Sequence, residues 1–418
     1  MSQIHKRFTT VQVKDLLNKY LKGEIDRKYI QEILGIKKRR FFNILKSFRD
    51  DNDSFSIGYK KRQPKRIDPE IENTIIKELA IDQEIINNPQ IPLVNYNYSY
   101  IKRRLENKYN QKVSVPTIIN RAKENEFYLK KKKKKRTHDR EVLTNYPGEM
   151  IQHDSSHHLW APDSREKWYL ITSLDDYSRF ILFGQFVKRE TTFKHIKALE
   201  SVVLKHGLPY SYYVDCHSIF RFVRGRDSFW HKHHKLTDDI DPQWKMVMNE
   251  CKIKIIYALS PQAKGKIERP YRWLQDNLIR NCVRENITNI KDAQAILNRE
   301  IRRYNYKQVH STTQEIPSCR FKNAINEKKS LFRDYKTPAP FKSVKDIFSL
   351  KITRFADAYR RVSINNIKFK VNKVNPRDEV MIRIYPLNQH LSEIRFWVNQ
   401  NLLDTQKIKN SDLKGVQF

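Results

Sequence analysis

Between Glu166 and Val187 the chain reads EKWYLITSLDDYSRFILFGQFV. Two apolar runs, 168–174 and 179–186, flank a short polar turn around Asp175–Ser178, which predicts a β-hairpin. TTFKHIKALESVVLKHG follows as an amphipathic helix stopped by Gly207. LPYSYYVD is a strand that ends at Asp215, and WKMVMNECKIKIIYAL is a helix then a strand. Further helices are expected from Gly265 to about 284 and over 291–306. Strands first, then alternating helix and strand, predict an α/β sheet covered by helices over 148–325.

The flanking sequence has a different texture. Residues 1–52 read as compact helices. DRKYIQEILGIKKRRFFNILKSFR gives a helix, a turn at Gly35 and a second, basic helix, the layout of a helix-turn-helix. Lys37, Lys38, Arg39 and Arg40 at the front of that second helix are candidate DNA contacts. A polar linker leads to a second helical module over 66–128, with Ser114 or Pro116 near the start of its last helix, also read as helix-turn-helix. Residues 129–147 form a basic linker holding six consecutive lysines, Lys130–Lys135. Over 340–418 short β-like runs alternate with turn residues, which predicts a small β-barrel. The fold class expected is therefore multidomain α+β, with helix-turn-helix modules, a central α/β core and a C-terminal barrel.

A formal net charge of +35 in 418 residues points to a polyanionic partner, with nucleic acid the leading class. No stretch of 18 apolar residues suggests a membrane span, and the N-terminus has no signal-peptide core. Only 9 glycines are present, and neither GxxxxGK[ST] nor GxGxxG occurs, so no nucleotide cofactor is expected. The four cysteines form no CxxC pair, which argues against a disulfide scaffold or a zinc ribbon.

Three carboxylates can converge on the sheet. Asp154 lies in GEMIQHDSSHH, on a strand or its entry; Asp215 ends YYVD; Glu268 lies near the start of a helix. Phosphodiester transfer wants such a set. Two Mg²⁺ ions about 3.5–4 Å apart can activate the attacking oxygen and stabilise the leaving one. Mg²⁺ takes oxygen ligands and usually only one or two protein carboxylates, so three acids suffice for two ions bridged by one Asp. Without metal the three would repel one another, and the site should be only partly formed.

GEMIQHDSSHH, YLITSLDDYSRFILFGQF, YYVDCHSIF, SPQAKGKIERPYRWLQ and RYNYKQVHSTTQEIP together resemble the successive blocks of the Asp-Asp-Glu transposases of bacterial insertion sequences, whose catalytic core is similar to that of retroviral integrases. The resemblance covers about 148–325, and the order of the flanking modules fits it too. It implies an RNase H-like core and two Mg²⁺ or Mn²⁺ ions at Asp154, Asp215 and Glu268. It also implies cleavage of transposon ends and strand transfer to target DNA. At least a homodimer on paired ends and a bacterial cytoplasmic, nucleoid-associated location follow from the same resemblance.

The chain departs from the pattern in three places. Fifty-two residues separate Asp215 from Glu268, more than is common in the family, with Phe220–Gln243 the candidate insertion. Cys216-His217 stand where many relatives have Asn-Gly. Pro270 requires that its helix start near Ile267 or kink. In the insertion, Arg221, Arg224, Arg226 and Trp230 read as DNA contacts. His231, His233 and His234 lack the Cys or acidic partners of a zinc site. Lys264, Lys266 and Arg269, flanking Glu268, read as phosphate contacts holding a DNA end. Asp175 and Asp176 read as structural turn residues. A catalytically silent DNA-binding regulator, or a nuclease that never joins, is the alternative reading.

Overall fold

The computed structural model describes residues 4–58, 67–130, 143–215, 219–220, 243–258, 265–364 and 367–413, with 265–269 described as backbone only. The chain divides into two compact units, Met1–Ile71 and Glu72–Phe418.

In the first unit, α1 (Thr10–Leu21) opens with a reciprocal Thr9–Gln12 capping box. α2 (Arg27–Leu34) stops because Gly35 adopts φ 64°, the left-handed cap that favours glycine. α3 (Lys38–Asp50) follows three residues later. Val13, Leu17, Ile30, Leu34, Phe41 and Leu45 close one core between the three helices. Lys37 is the N-cap of α3, and Lys38, Arg39 and Arg40 fill its first turn, all exposed.

The second unit begins with helices. α4 (Pro69–Asn87) crosses the division between the units, and α5 (Tyr98–Tyr109) and α6 (Val115–Glu124) follow. Ser114 caps α6 through the Thr117 N–H, with Pro116 in the first turn.

The sheet comes next: β1 (Met150–His158), β2 (Trp168–Asp175), β3 (Ile181–Val187), α7 (Thr192–His206), β4 (Ser211–Val214), α8 (Gln243–Glu250) and β5 (Lys254–Tyr257). Three helices complete this part: α9 (Gly265–Arg284), α10 (Ile290–Lys307) and α11 (Pro317–Asn326). The five strands lie in the order β3-β2-β1-β4-β5. β1, β2 and β3 run antiparallel, while β4 is parallel to β1 and β5 to β4. The expected hairpin is β2–β3. Alternation along the strands sends side chains to two cores. Ile151, Tyr212 and Val214 pack with Phe193, Ile196 and Trp244 of α7 and α8. Leu170 and Leu174 pack with Tyr271, Leu274, Leu278 and Leu297 of α9 and α10.

The C-terminal part corrects the expected barrel. α12 (Val344–Ile347) precedes β6 (Leu350–Phe355), β7 (Arg361–Ile364), β8 (Ile367–Lys370), β9 (Glu379–Pro386), β10 (Leu391–Val398) and β11 (Asn401–Lys409). These strands form an open antiparallel sheet, β11-β10-β9-β6, and a separate β7–β8 hairpin. Closure would need a ladder between the edge strands β6 and β11, and none forms among the described residues. Val362, Ile364 and Phe369 of the hairpin instead pack by side chains onto Ile382 and Phe396. The same apolar cluster continues into α7 and α8. Polar ties reinforce it: Gln243 exchanges two hydrogen bonds with the Lys351 backbone at 2.7 and 2.6 Å, and Arg383 reaches Glu250 at 2.8 Å.

Candidate active site

The β1–β4 ladder fixes where the two aspartates stand. Met150, Ile151 and Gln152 face Ser211, Tyr212 and Tyr213, an offset of 61 positions. Asp154 and Asp215 are separated by the same 61 positions. Carried two residues beyond the ladder, that register sets the aspartates level on neighbouring strands, which run about 4.8 Å apart. Both are half-buried. Because side chains alternate, Asp154 and His153 leave β1 on opposite faces. His153 lies against α7, so Asp154 is directed to the α9 face.

α9 is fastened to that face at the same point. The Tyr271 hydroxyl donates to the Asp154 carbonyl at 2.7 Å and accepts from Thr172 Oγ1 at 2.8 Å. Burial, and then the nearby charge of Asp154, push the Tyr271 hydroxyl far above the usual phenol range, so it stays a donor. Position 268 of the α9 backbone lies three residues before Tyr271, one turn earlier on the same helical face. α9 is helical from Gly265 straight through Pro270. The helix therefore starts before Ile267, and the proline sits beyond its first turn. Lys266, Glu268 and Arg269 ride on this backbone. Lys264, Arg221, Arg224, Arg226, Trp230 and the insertion histidines lie outside the described residues.

Behind Asp154, on the α7 side, runs a buried polar chain. His153 Nδ1 meets Ser173 Oγ at 2.9 Å and its Nε2 meets His195 Nδ1 at 2.8 Å. His195 Nε2 meets Glu190 at 2.9 Å, and Ser155 donates to the same Glu190 oxygen. This chain pins β1 on both sides of Asp154. Sequence reasoning missed Glu190 and His195; an acid just before a helix carrying a histidine on its sheet-facing side was the only signal. His157 stacks on Tyr169 at 4.2 Å, and burial lowers the His158 pKa.

The neighbouring acids serve the fold. Asp175 accepts from the Gly148 N–H at 2.8 Å, the Ser178 N–H at 2.9 Å and the Ser178 hydroxyl at 2.5 Å. Complete burial raises its pKa to about 6. Asp176 accepts from Gln152 at 2.6 Å, Arg179 at 2.8 Å and Thr144 at 2.7 Å. Neither turn aspartate is left to hold a metal.

No cluster of three metal-ligating side chains occurs among the described residues. The donors available at the site are carboxylate oxygens, the type that Mg²⁺ and Mn²⁺ prefer and that thiophilic ions do not.

No family model matches the chain. It is 33% identical over 179 residues to y4bF of Sinorhizobium fredii, which carries a transposase name, covering 43% of this chain and 37% of that protein. It is 28% identical over 195 residues to the transposase for insertion sequence IS1202 of Streptococcus pneumoniae, covering 46% and 40%. The matches thus span less than half the length of these relatives. Among solved structures, the catalytic core of BIV integrase aligns at 15% identity and TM-score 0.31, over 43% of this chain and 98% of that one. The HTLV-2 integrase core in complex with magnesium aligns at 17% identity and TM-score 0.26, over 40% and 90%. In sequence, as its five ordered blocks led one to expect, this chain is similar to the transposases of insertion sequences.

Proposed function

We propose that the chain is a DNA transposase of the Asp-Asp-Glu class with an RNase H-like core. The observation that carries this reading is the common register of Asp154 and Asp215 on adjacent parallel strands, with α9 bonded to the backbone of Asp154. Glu268 is the third carboxylate. Together the three would hold two Mg²⁺ or Mn²⁺ ions, which supply charge stabilisation for in-line phosphoryl transfer. A water oxygen bonds to phosphorus at the transposon end as the bond to the 3′ oxygen breaks, leaving a 3′-OH and a 5′-phosphate. That 3′-OH then attacks a target phosphodiester, forming one bond and releasing the other strand end.

Lys264, Lys266 and Arg269 are the candidates for gripping the end, with Arg221, Arg224 and Trp230 on the insertion. The exposed Lys37, Lys38, Arg39 and Arg40 at the positive end of α3 suit phosphates or base edges. Two ends handled together call for a homodimer or a higher oligomer. No helix among the described residues is long and apolar enough to cross a membrane, and a DNA substrate would place the protein with the bacterial nucleoid. A labelled end oligonucleotide with Mg²⁺ or Mn²⁺ tests the reading. Asp215→Asn should abolish cleavage and joining and leave end binding intact. Full joining by that variant refutes the assignment, and hydrolysis without joining by the parent chain identifies a nuclease.

A further inference from the structure

α10 presents a basic stripe that the candidate active site does not use. Arg299, Arg302, Arg303, Tyr306 and Lys307 recur at the spacing of one helical face. They line one wall of a cleft of about 1500 Å³, and α5 supplies the other wall with Arg103, Arg104 and Lys108. Seven cations and two carboxylates line the cleft. Both carboxylates are engaged: Glu285 pairs with Arg299, and Glu300 pairs with Arg303 at 2.9 Å. Lys108, Arg302 and Lys307 are exposed and make no ion pair with a described residue.

The floor gathers like charges. Arg103 and Arg303 both donate to the one Oδ1 of Asn277, at 2.6 and 3.4 Å. Burial, followed by repulsion from Arg303, lowers the Arg103 pKa to about 10. Glu300 balances Arg303, whereas Arg103 has the neutral Asn277 oxygen as its acceptor, so an anion entering the cleft would offset its buried charge.

We propose that this cleft binds the sugar–phosphate backbone of duplex DNA, as a contact separate from the candidate carboxylates. The stripe from Arg299 to Lys307 spans about 12 Å of helix, the rise of roughly three phosphates along one strand. Along α9, Asn281 in the cleft wall lies about 20 Å from position 268, roughly six base pairs of duplex. The cleft would hold the flank of a duplex and leave the scissile phosphate to the other end of α9. The inference rests on DNA being the partner but not on the chain cutting it.

The test is equilibrium binding of a labelled duplex to the full chain in EDTA across a salt series. Each phosphate contact contributes about 0.9 to the slope of log K against log salt. The triple variant Lys108→Ala/Arg302→Ala/Lys307→Ala should lose about 2–3 from that slope with an unchanged melting temperature. An unchanged slope overturns the proposal. If the triple variant misfolds, Arg302→Glu and Arg302→Lys decide: the first should flatten the slope and the second keep it, and equal slopes overturn the proposal. Tighter binding of a single strand through the same residues overturns the duplex assignment. Binding is read in EDTA, where no metal-dependent cleavage occurs, so a failed cleavage assay and a failed cleft are told apart.

Discussion

Tyr271 joins α9 to β1 by donating its hydroxyl proton to the carbonyl of Asp154, 2.7 Å away. The bond grips the backbone of the aspartate and leaves its carboxylate to other partners. Tyr271→Phe should cost about 1–2 kcal/mol in denaturant unfolding, because the Thr172 hydroxyl and the carbonyl lose a buried partner. Metal-dependent cleavage should fall further than that loss of folded protein accounts for, while DNA binding in EDTA stays at the parent level.

A second expectation concerns the join between α4 and α9. Arg280 and Asp82 are bonded with both side chains fully buried, and Arg284 reaches Glu78 at 2.5 Å. Arg280→Met leaves the buried Asp82 charge with only the longer Arg284 contact at 3.8 Å and should cost about 3 kcal/mol. The double variant Arg280→Met/Asp82→Leu should recover most of that. Chemical denaturation of the three proteins measures the difference, and a double variant no better than the single one would contradict it.

Asp175 can be tested by a nearly isosteric change. Its Oδ1 serves the Gly148 N–H and its Oδ2 serves two donors on Ser178. An amide offers one oxygen where the carboxylate offers two, so Asp175→Asn forces an N–H against an N–H at one end. The expected loss is about 1–3 kcal/mol, read as a lowered melting temperature.

Lys351 makes a prediction in pH. Burial, opposed by Glu250 at 3.2 Å and aided by Arg383, lowers its pKa from 10.5 to about 8. The unfolded chain therefore binds more protons than the folded one between those values, and the contribution of this lysine to stability rises with pH through that window. Below pH 8 its penalty is constant. Lys351→Met should remove this pH-dependent increment in urea midpoints measured from pH 8 to 10.

The hairpin and the placement of Asp154 and Asp215 were legible because local signals carry them. Period-two apolar runs mark the strands, and YYVD puts an acid at a strand end. Other features depend on partners far along the chain. Asp82 and Glu78 look like solvated helix acids until Arg280 and Arg284, some two hundred positions away, are brought against them. The open C-terminal sheet was misread as a barrel because alternation identifies strands but not whether the edges meet. His153 shows no local sign that His195 and Glu190 complete its bonding.

α9 runs from Gly265 to Arg284, with position 268 near one end and Asn281 of the cleft wall toward the other. A packed helix of this length reaches across the scale of a duplex, and Pro270, which removes one helix hydrogen bond, is the softest point between the cleft end and position 268. If the cleft holds DNA as proposed, a pull on that end would be carried along α9 toward the turn that bears position 268. On that proposal, a load several base pairs away and the position of the helical turn before Tyr271 would become one mechanical variable.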